Sequence, residues 1–140
     1  MLDKSGSIRS NDFDMMKSFL SRLVSRLDID SGKTRVGLVT YATNVETGFN
    51  LSAHSSVAAV QSAISAFSYS GGNTDTAAAL AHVRRSMLTS AAGDRTNVSN
   101  VVVILTDGRS DDKSATKVCT IIICDNNRSF NMVKTFAKLL

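Results

Sequence analysis

Val101-Val102-Val103-Ile104-Leu105-Thr106-Asp107 is the stretch that decides the fold. Five aliphatic residues in a row, four of them β-branched, do not alternate with polar ones as a half-exposed strand would. Such runs belong to strands buried on both faces, the condition of a sheet covered by helices above and below. The run closes on a carboxylate and then Gly108. Taken alone, Asp107-Gly108 reads as a turn. In open α/β sheets, however, ligands sit outside the carboxyl ends of the strands. Asp107 is thus also a candidate site residue.

The flanking sequence supports the same architecture. Phe13, Met16, Leu20, Leu23, Val24 and Leu27 recur at helical spacing and predict an amphipathic helix from about Asn11 to Leu27. Asp28 to Lys33 is a polar break. Thr34 to Ala42 reads as a largely buried strand, and Val45 to Leu51 as its hairpin neighbour, turned by Thr43-Asn44. Ser55 or Ser56 can cap a helix carrying Val57, Val60, Ile64 and Phe67. Gly71-Gly72 breaks the chain before a helix from about Asp75 to Leu88, and Ser90 to Asn100 is a polar loop. Strands alternating with helices around the Val101 run predict an α/β, three-layer α/β/α fold with a mainly parallel sheet. Val118 to Cys124 reads as a further buried strand. Phe130, Val133, Phe136, Ala137 and Leu140 suggest a closing helix.

Two other segments belong with Asp107: Asp3-Lys4-Ser5-Gly6-Ser7, and Thr74 within Gly71-Gly72-Asn73-Thr74-Asp75-Thr76. In an extended segment, Asp3, Ser5 and Ser7 fall on one side. Every side chain in the set is an oxygen donor, the ligand type hard divalent cations prefer. Magnesium in particular keeps several waters and is usually held by one or two carboxylates. Each piece also has a plainer reading, Ser and Asp being common cap and turn residues, and Thr74 a possible N-cap ahead of Ala77 to Leu80. What favours the metal is the conjunction of all three at strand-to-helix transitions.

With these residues the chain resembles a von Willebrand factor type A domain, whose metal-ion-dependent adhesion site they match. The resemblance runs from Asp3 to about Lys117. It implies a doubly wound, Rossmann-like sheet with one antiparallel edge strand and a metal on its upper edge. It also implies a division of labour, with Ser5, Ser7 and Thr74 coordinating and Asp3 and Asp107 behind them. The ion would be Mg2+ (or Mn2+ or Ca2+), completed by a carboxylate of a protein partner. The implied setting is extracellular: a secreted matrix or cell-adhesion module binding collagen-like or other matrix or cell-surface proteins. Gly6-Ser7-Ile8 and Ser110-Asp111-Asp112-Lys113 fit the matrix-type members. The alternatives are an intracellular module of an ATPase or chelatase assembly, and a fragment that binds nothing. The last arises because the ends depart from the family pattern: the first central strand is reduced to Met1-Leu2, and the usual final strand has no clear counterpart. A chain truncated at both ends is therefore expected. Only about ten residues separate Asp107 from Val118, short for a parallel crossover.

Composition sets the frame. The 140 residues make one domain's worth of chain, expected as a single unit over 1–140 and compatible with a place in a longer multidomain protein. No apolar run is long enough to span a bilayer, so no membrane insertion is expected. No signal peptide is read at the start, where Met1-Leu2 leads into polar residues. The net charge of +4 is dispersed, which argues against nucleic acid as a partner. Cys119 and Cys124 would face opposite sides of a straight strand and cannot easily bridge each other. Sequons at Asn50, Asn97 and Asn127 are compatible with secretion, Asn97 being the best candidate. Enzymatic readings fare badly, because His54 and His82 are far from any nucleophile motif and no Gly-x-Ser-x-Gly elbow or P-loop lysine exists.

Overall fold

A computed structural model describes residues 1–107 in full, together with the strands at 118–124 and 130–137 as backbone. The strands are β1 (Leu2–Asp3), β2 (Leu38–Tyr41), β3 (Val45–Phe49), β4 (Asn100–Thr106), β5 (Val118–Cys124) and β6 (Phe130–Ala137). They form one sheet in the order β3-β2-β1-β4-β5-β6. Over its first four strands the sheet is mostly parallel: β1 runs parallel to both β2 and β4, and β3 is the antiparallel edge. The non-sequential order 3-2-1-4 is what makes the sheet doubly wound. β1 is central although only two residues long.

Side chains alternate across the sheet plane with the period of two that strands impose. Leu2, Leu38 and Leu105 pack under α1 (Ser10–Val24) and α2 (Val57–Ser65). Met1, Val39, Tyr41, Val102 and Ile104 face the opposite way, against Ala79 of α3 (Thr76–His82) and Val83 and Met87 beyond it. The chain continues from α3 into one wider π turn over Val83–Met87, closed by Leu88 N–H donating to the Val83 carbonyl at 3.0 Å. The layers are therefore helix, sheet, helix. Among the described residues, no helix is long and apolar enough to cross a membrane.

Local rules explain the boundaries. Phe13, Leu20 and Val24 bury one stripe of α1, and Ile29 plugs the turn after it at 1% exposure, inside a segment that reads as polar. Ser56, rather than Ser55, caps α2: its Oγ accepts from Ala59 N–H at 3.2 Å. Replacing Ser56 by alanine should cost about 1 kcal/mol in urea unfolding, because one of the helix's first donors loses its acceptor.

Three expectations need correction. The segment from Phe130 is not a closing helix; it is β6, antiparallel to β5. A run of eight residues holding Phe130, Val133, Thr135 and Phe136 suits a strand as well as a helix, and the free edge of β5 settles the choice. Second, β5 is antiparallel to β4, so no crossover is needed and the short connection raises no difficulty. Third, β4 is not buried throughout, since Val101 is 58% exposed. The Asp111–Lys113 stretch, the Asn127 sequon and the cysteine side chains lie outside the described residues.

Candidate functional site

β1 carries Asp3 into the molecule at 0% exposure, and the chain then turns sharply. Ser5 N–H donates to Asp3 Oδ1 at 2.9 Å, and Ile8 N–H donates to the Ser5 carbonyl at 3.1 Å. Aspartate commonly stabilises a turn in this way, its side chain holding a backbone N–H two residues on. Asp3, Ser5 and Ser7 do converge, but through this turn rather than through an extended segment. The hydroxyls of Ser5 and Ser7 stand 3.2 Å apart. Lys4 points away and pairs with Glu46 on β3 at 2.7 Å, which keeps its charge off the cluster.

β4 delivers the second carboxylate. Ser7 Oγ donates to Asp107 Oδ1 at 3.1 Å, and Thr106 Oγ1 donates to Asp3 Oδ2 at 2.7 Å. Asp3, Ser5, Ser7 and Asp107 thus form one continuous hydrogen-bonded chain across the carboxyl ends of two parallel strands.

The third limb is the loop ahead of α3, which is laced to the first by backbone. Gly71 N–H donates to the Lys4 carbonyl (2.9 Å), and Gly6 N–H donates to the Gly72 carbonyl (2.7 Å). Asn73 N–H reaches Thr43 Oγ1 at 3.0 Å. Gly72 sits at φ +105°, and a Cβ there would lie 2.5 Å from Thr43 Oγ1, so only glycine fits. The loop holds Thr74 at 7% exposure, two residues after the Gly72 carbonyl that Gly6 N–H reaches. Thr74 is not the helix cap. Asp75 takes that role, accepting from Ala78 N–H at 2.8 Å, which leaves the Thr74 hydroxyl for other work.

Burial is the dominant electrostatic fact here. Loss of water raises the Asp3 pKa above its ordinary value, and the charge of Asp107 adds to the rise. The hydrogen bonds from Ser5 and Thr106 oppose it without cancelling it. Tyr41 lies beneath the cluster. Burial and the two carboxylates push its phenol upward, so it stays protonated, and its Oη lacks a well-formed hydrogen bond although Thr76 and Thr106 are nearby. Tyr41 and Thr106 were not legible as site residues, although Thr106 is the immediate neighbour of a candidate carboxylate at a strand end. The two histidines are elsewhere: His54 packs edge-on against Phe49, and His82 bonds Thr47 at 2.6 Å. Among the described residues no three His, Cys, Asp or Glu cluster as metal ligands do. Any ion here would therefore depend on hydroxyls.

Comparison with known proteins gives this arrangement a family. Collagen alpha-4(VI) chain of Mus musculus is 39% identical over 115 residues, 81% of this chain and 5% of that protein. Matrilin-1 of Mus musculus is 37% identical over 115 residues, 80% of this chain and 23% of its own length. The chain thus spans under a quarter of these relatives. Proximal thread matrix protein 1 from the mussel byssus, solved with a zinc-occupied MIDAS motif, shares the fold at a TM-score of 0.67. That match has 24% identity and covers 83% of this chain and 31% of that one. The family profile of the von Willebrand factor type A domain matches residues 1–137, and this chain belongs to that family.

Proposed function

We propose that residues 1–140 act as one divalent-cation-dependent protein-binding module, not an enzyme, holding Mg2+, or Mn2+ or Ca2+ in its place, at Asp3, Ser5, Ser7, Thr74 and Asp107. The observation that carries this reading is the hydrogen-bonded chain Asp3–Ser5–Ser7–Asp107, whose side chains all offer oxygen, at the carboxyl ends of β1 and β4. Two carboxylates share a poorly hydrated site, and the Lys4 ammonium beside it is turned to Glu46. This is a donor set suited to a hard ion.

Ser5, Ser7 and Thr74 would supply the direct ligands. Asp3 and Asp107 would orient the serine hydroxyls and balance charge, the part outer partners play in metal sites. When bound, the cation would supply an electron-poor centre able to accept a carboxylate of a partner protein. Gly6 and Gly72 hold the two limbs at fixed separation, which keeps the hydroxyls preorganised for that capture. Relatives named as collagen and matrilin support an extracellular matrix setting, with a matrix or cell-surface protein as partner. The exposed Asn97 is available for glycosylation there.

Binding of the chain to immobilised matrix proteins such as collagen, with magnesium or with chelator, tests the reading. Capture should need the ion; capture unchanged in chelator would refute it. A finer check uses Ser5→Ala and Ser10→Ala. Loss of the buried Ser5 hydroxyl should weaken cation affinity by roughly tenfold, whereas the exposed Ser10 on α1 should change nothing. Equal effects would place the ion elsewhere.

A further inference from the structure

Tyr41 closes β2 at full burial, and its main chain is tied to two limbs of the oxygen cluster. The Tyr41 carbonyl accepts from Lys4 N–H at 2.9 Å, on the segment that carries Asp3 and Ser5. The next carbonyl, that of Ala42, accepts from Asp75 N–H at 3.3 Å, beside Thr74. The side chain reaches the same limbs. Around its hydroxyl stand Thr106 of β4, Thr76 at the start of α3, and the carboxylates of Asp3 and Asp107. The ring belongs to the apolar cluster with Val39, Ala79 and Val83, and a phenylalanine would fill that space equally well.

The oxygen is therefore the feature that needs a reason. It is buried and makes no well-formed hydrogen bond, which is a net cost to the fold. Counting protons supplies a role. Thr106 Oγ1 donates its one proton to Asp3 Oδ2 at 2.7 Å, so toward Tyr41 it can only accept. Burial and the two carboxylates keep the phenol protonated, and it can meet Thr106 only as the donor. The order Tyr41 to Thr106 to Asp3 follows, each hydroxyl polarising the next. It ends on the carboxylate whose other oxygen accepts from Ser5 N–H.

We propose that Tyr41 is a positioning residue of the cation site, its phenol O–H bracing the Thr106 hydroxyl and through it the ionised carboxylate of Asp3. The inference rests on the divalent-cation reading of the cluster. Asp3 must be charged and aligned to balance a cation, and a buried carboxylate is held in that form by the donors aimed at it. Thr106 is one such donor, and a phenol one step behind stiffens it. The same oxygen adds nothing to the fold when no cation demands a charged Asp3. Tyr41→Phe should therefore separate ion affinity from stability, which a tyrosine kept only for packing would not do.

The test compares the whole chain with its Tyr41→Phe variant. In a Mn2+ titration the variant should bind roughly tenfold more weakly. In chelator its thermal midpoint should equal or exceed that of the wild type. A spectroscopic readout comes from the composition, since the chain has two tyrosines and no tryptophan. Tyr69→Phe, which keeps the ring contact with Phe13, leaves Tyr41 as the sole phenol. In that background magnesium should move the tyrosine absorption band to longer wavelength, as a phenol does on becoming a stronger donor. Equal Mn2+ affinity, an unmoved band, or a variant less stable than wild type in chelator would each overturn the proposal, the last by making the phenol an ordinary structural hydrogen bond. A wild type that binds no Mn2+ would remove the cation reading and this proposal together; equal affinity in a wild type that does bind removes this proposal alone.

Discussion

Asp107→Ala is expected to abolish cation-dependent capture, lowering divalent-ion affinity by about 10–100-fold, the usual consequence of removing an outer partner of a metal site. The reason lies in the hydrogen-bonded chain. Asp107 accepts from Ser7, whose hydroxyl in turn stands 3.2 Å from that of Ser5. Without Asp107 the Ser7 hydroxyl loses its orientation, and the site keeps one carboxylate of two. The fold should survive, because Asp107 closes β4 at the rim and its charge raises the Asp3 pKa instead of supporting Asp3.

Asp3→Asn provides the complementary case, with opposite signs for stability and binding. The Asp3 carboxyl has a raised pKa in the folded chain, so its protonated form is the one the fold favours. Its contribution to stability is full below the ordinary carboxylate pKa and is lost as pH rises through the raised value. In chelator at neutral pH, the neutral amide should therefore stabilise the chain, because it removes the buried charge. The same variant should fail to gain stability on adding magnesium, where the wild type gains it. Thermal unfolding of both proteins, with magnesium and with chelator, reads both signs in one experiment. An Asp3→Asn chain less stable than wild type in chelator would mean that Asp3 is a structural hydrogen-bond hub and not a strained, ion-seeking carboxylate.

The second large effect is expected at Gly72, through geometry instead of charge. An alanine there must hold a left-handed backbone, at about 1–2 kcal/mol, and also force its Cβ to within 2.5 Å of Thr43 Oγ1. The Gly72 carbonyl would be displaced from Gly6 N–H, and Thr74 would move with the loop. Both stability and cation affinity should fall. Gly32→Ala is the control: it has φ +78° with nothing within 4 Å, and it lies in the turn after α1. It should show the strain alone, with cation affinity unchanged. Equal cation affinity in both variants would dissociate the Gly71–Asp75 loop from the site.

What the sequence disclosed depended on the range of the forces involved. β4 was legible because its run of five aliphatic residues leaves no place for polar ones, and α1 because Phe13, Leu20 and Val24 repeat at helical spacing. The site residues were legible as types at strand ends. The convergence of Asp3, Ser5 and Ser7 was legible from their spacing but its route was not, since the turn held by Asp3 and Ser5 replaces the extended geometry that spacing suggests. Asp75 and Thr74 are adjacent cap-type residues, and only the hydrogen bond to Ala78 separates their roles. Tyr41 comes to lie beside the carboxylates only through the pairing of β1 with β2. β6 was misread because an eight-residue run of mixed pattern takes its conformation from the edge it meets.

The central claim is a divalent-cation site built from hydroxyls on two carboxylates, and its most direct test is a Mn2+ titration followed by electron paramagnetic resonance, on the wild type and on Asp107→Ala. The account predicts one bound Mn2+ per chain, displaced by Mg2+, and none at the same concentrations in the variant. Absence of bound Mn2+ at millimolar concentration, or equal binding by the variant, would contradict it.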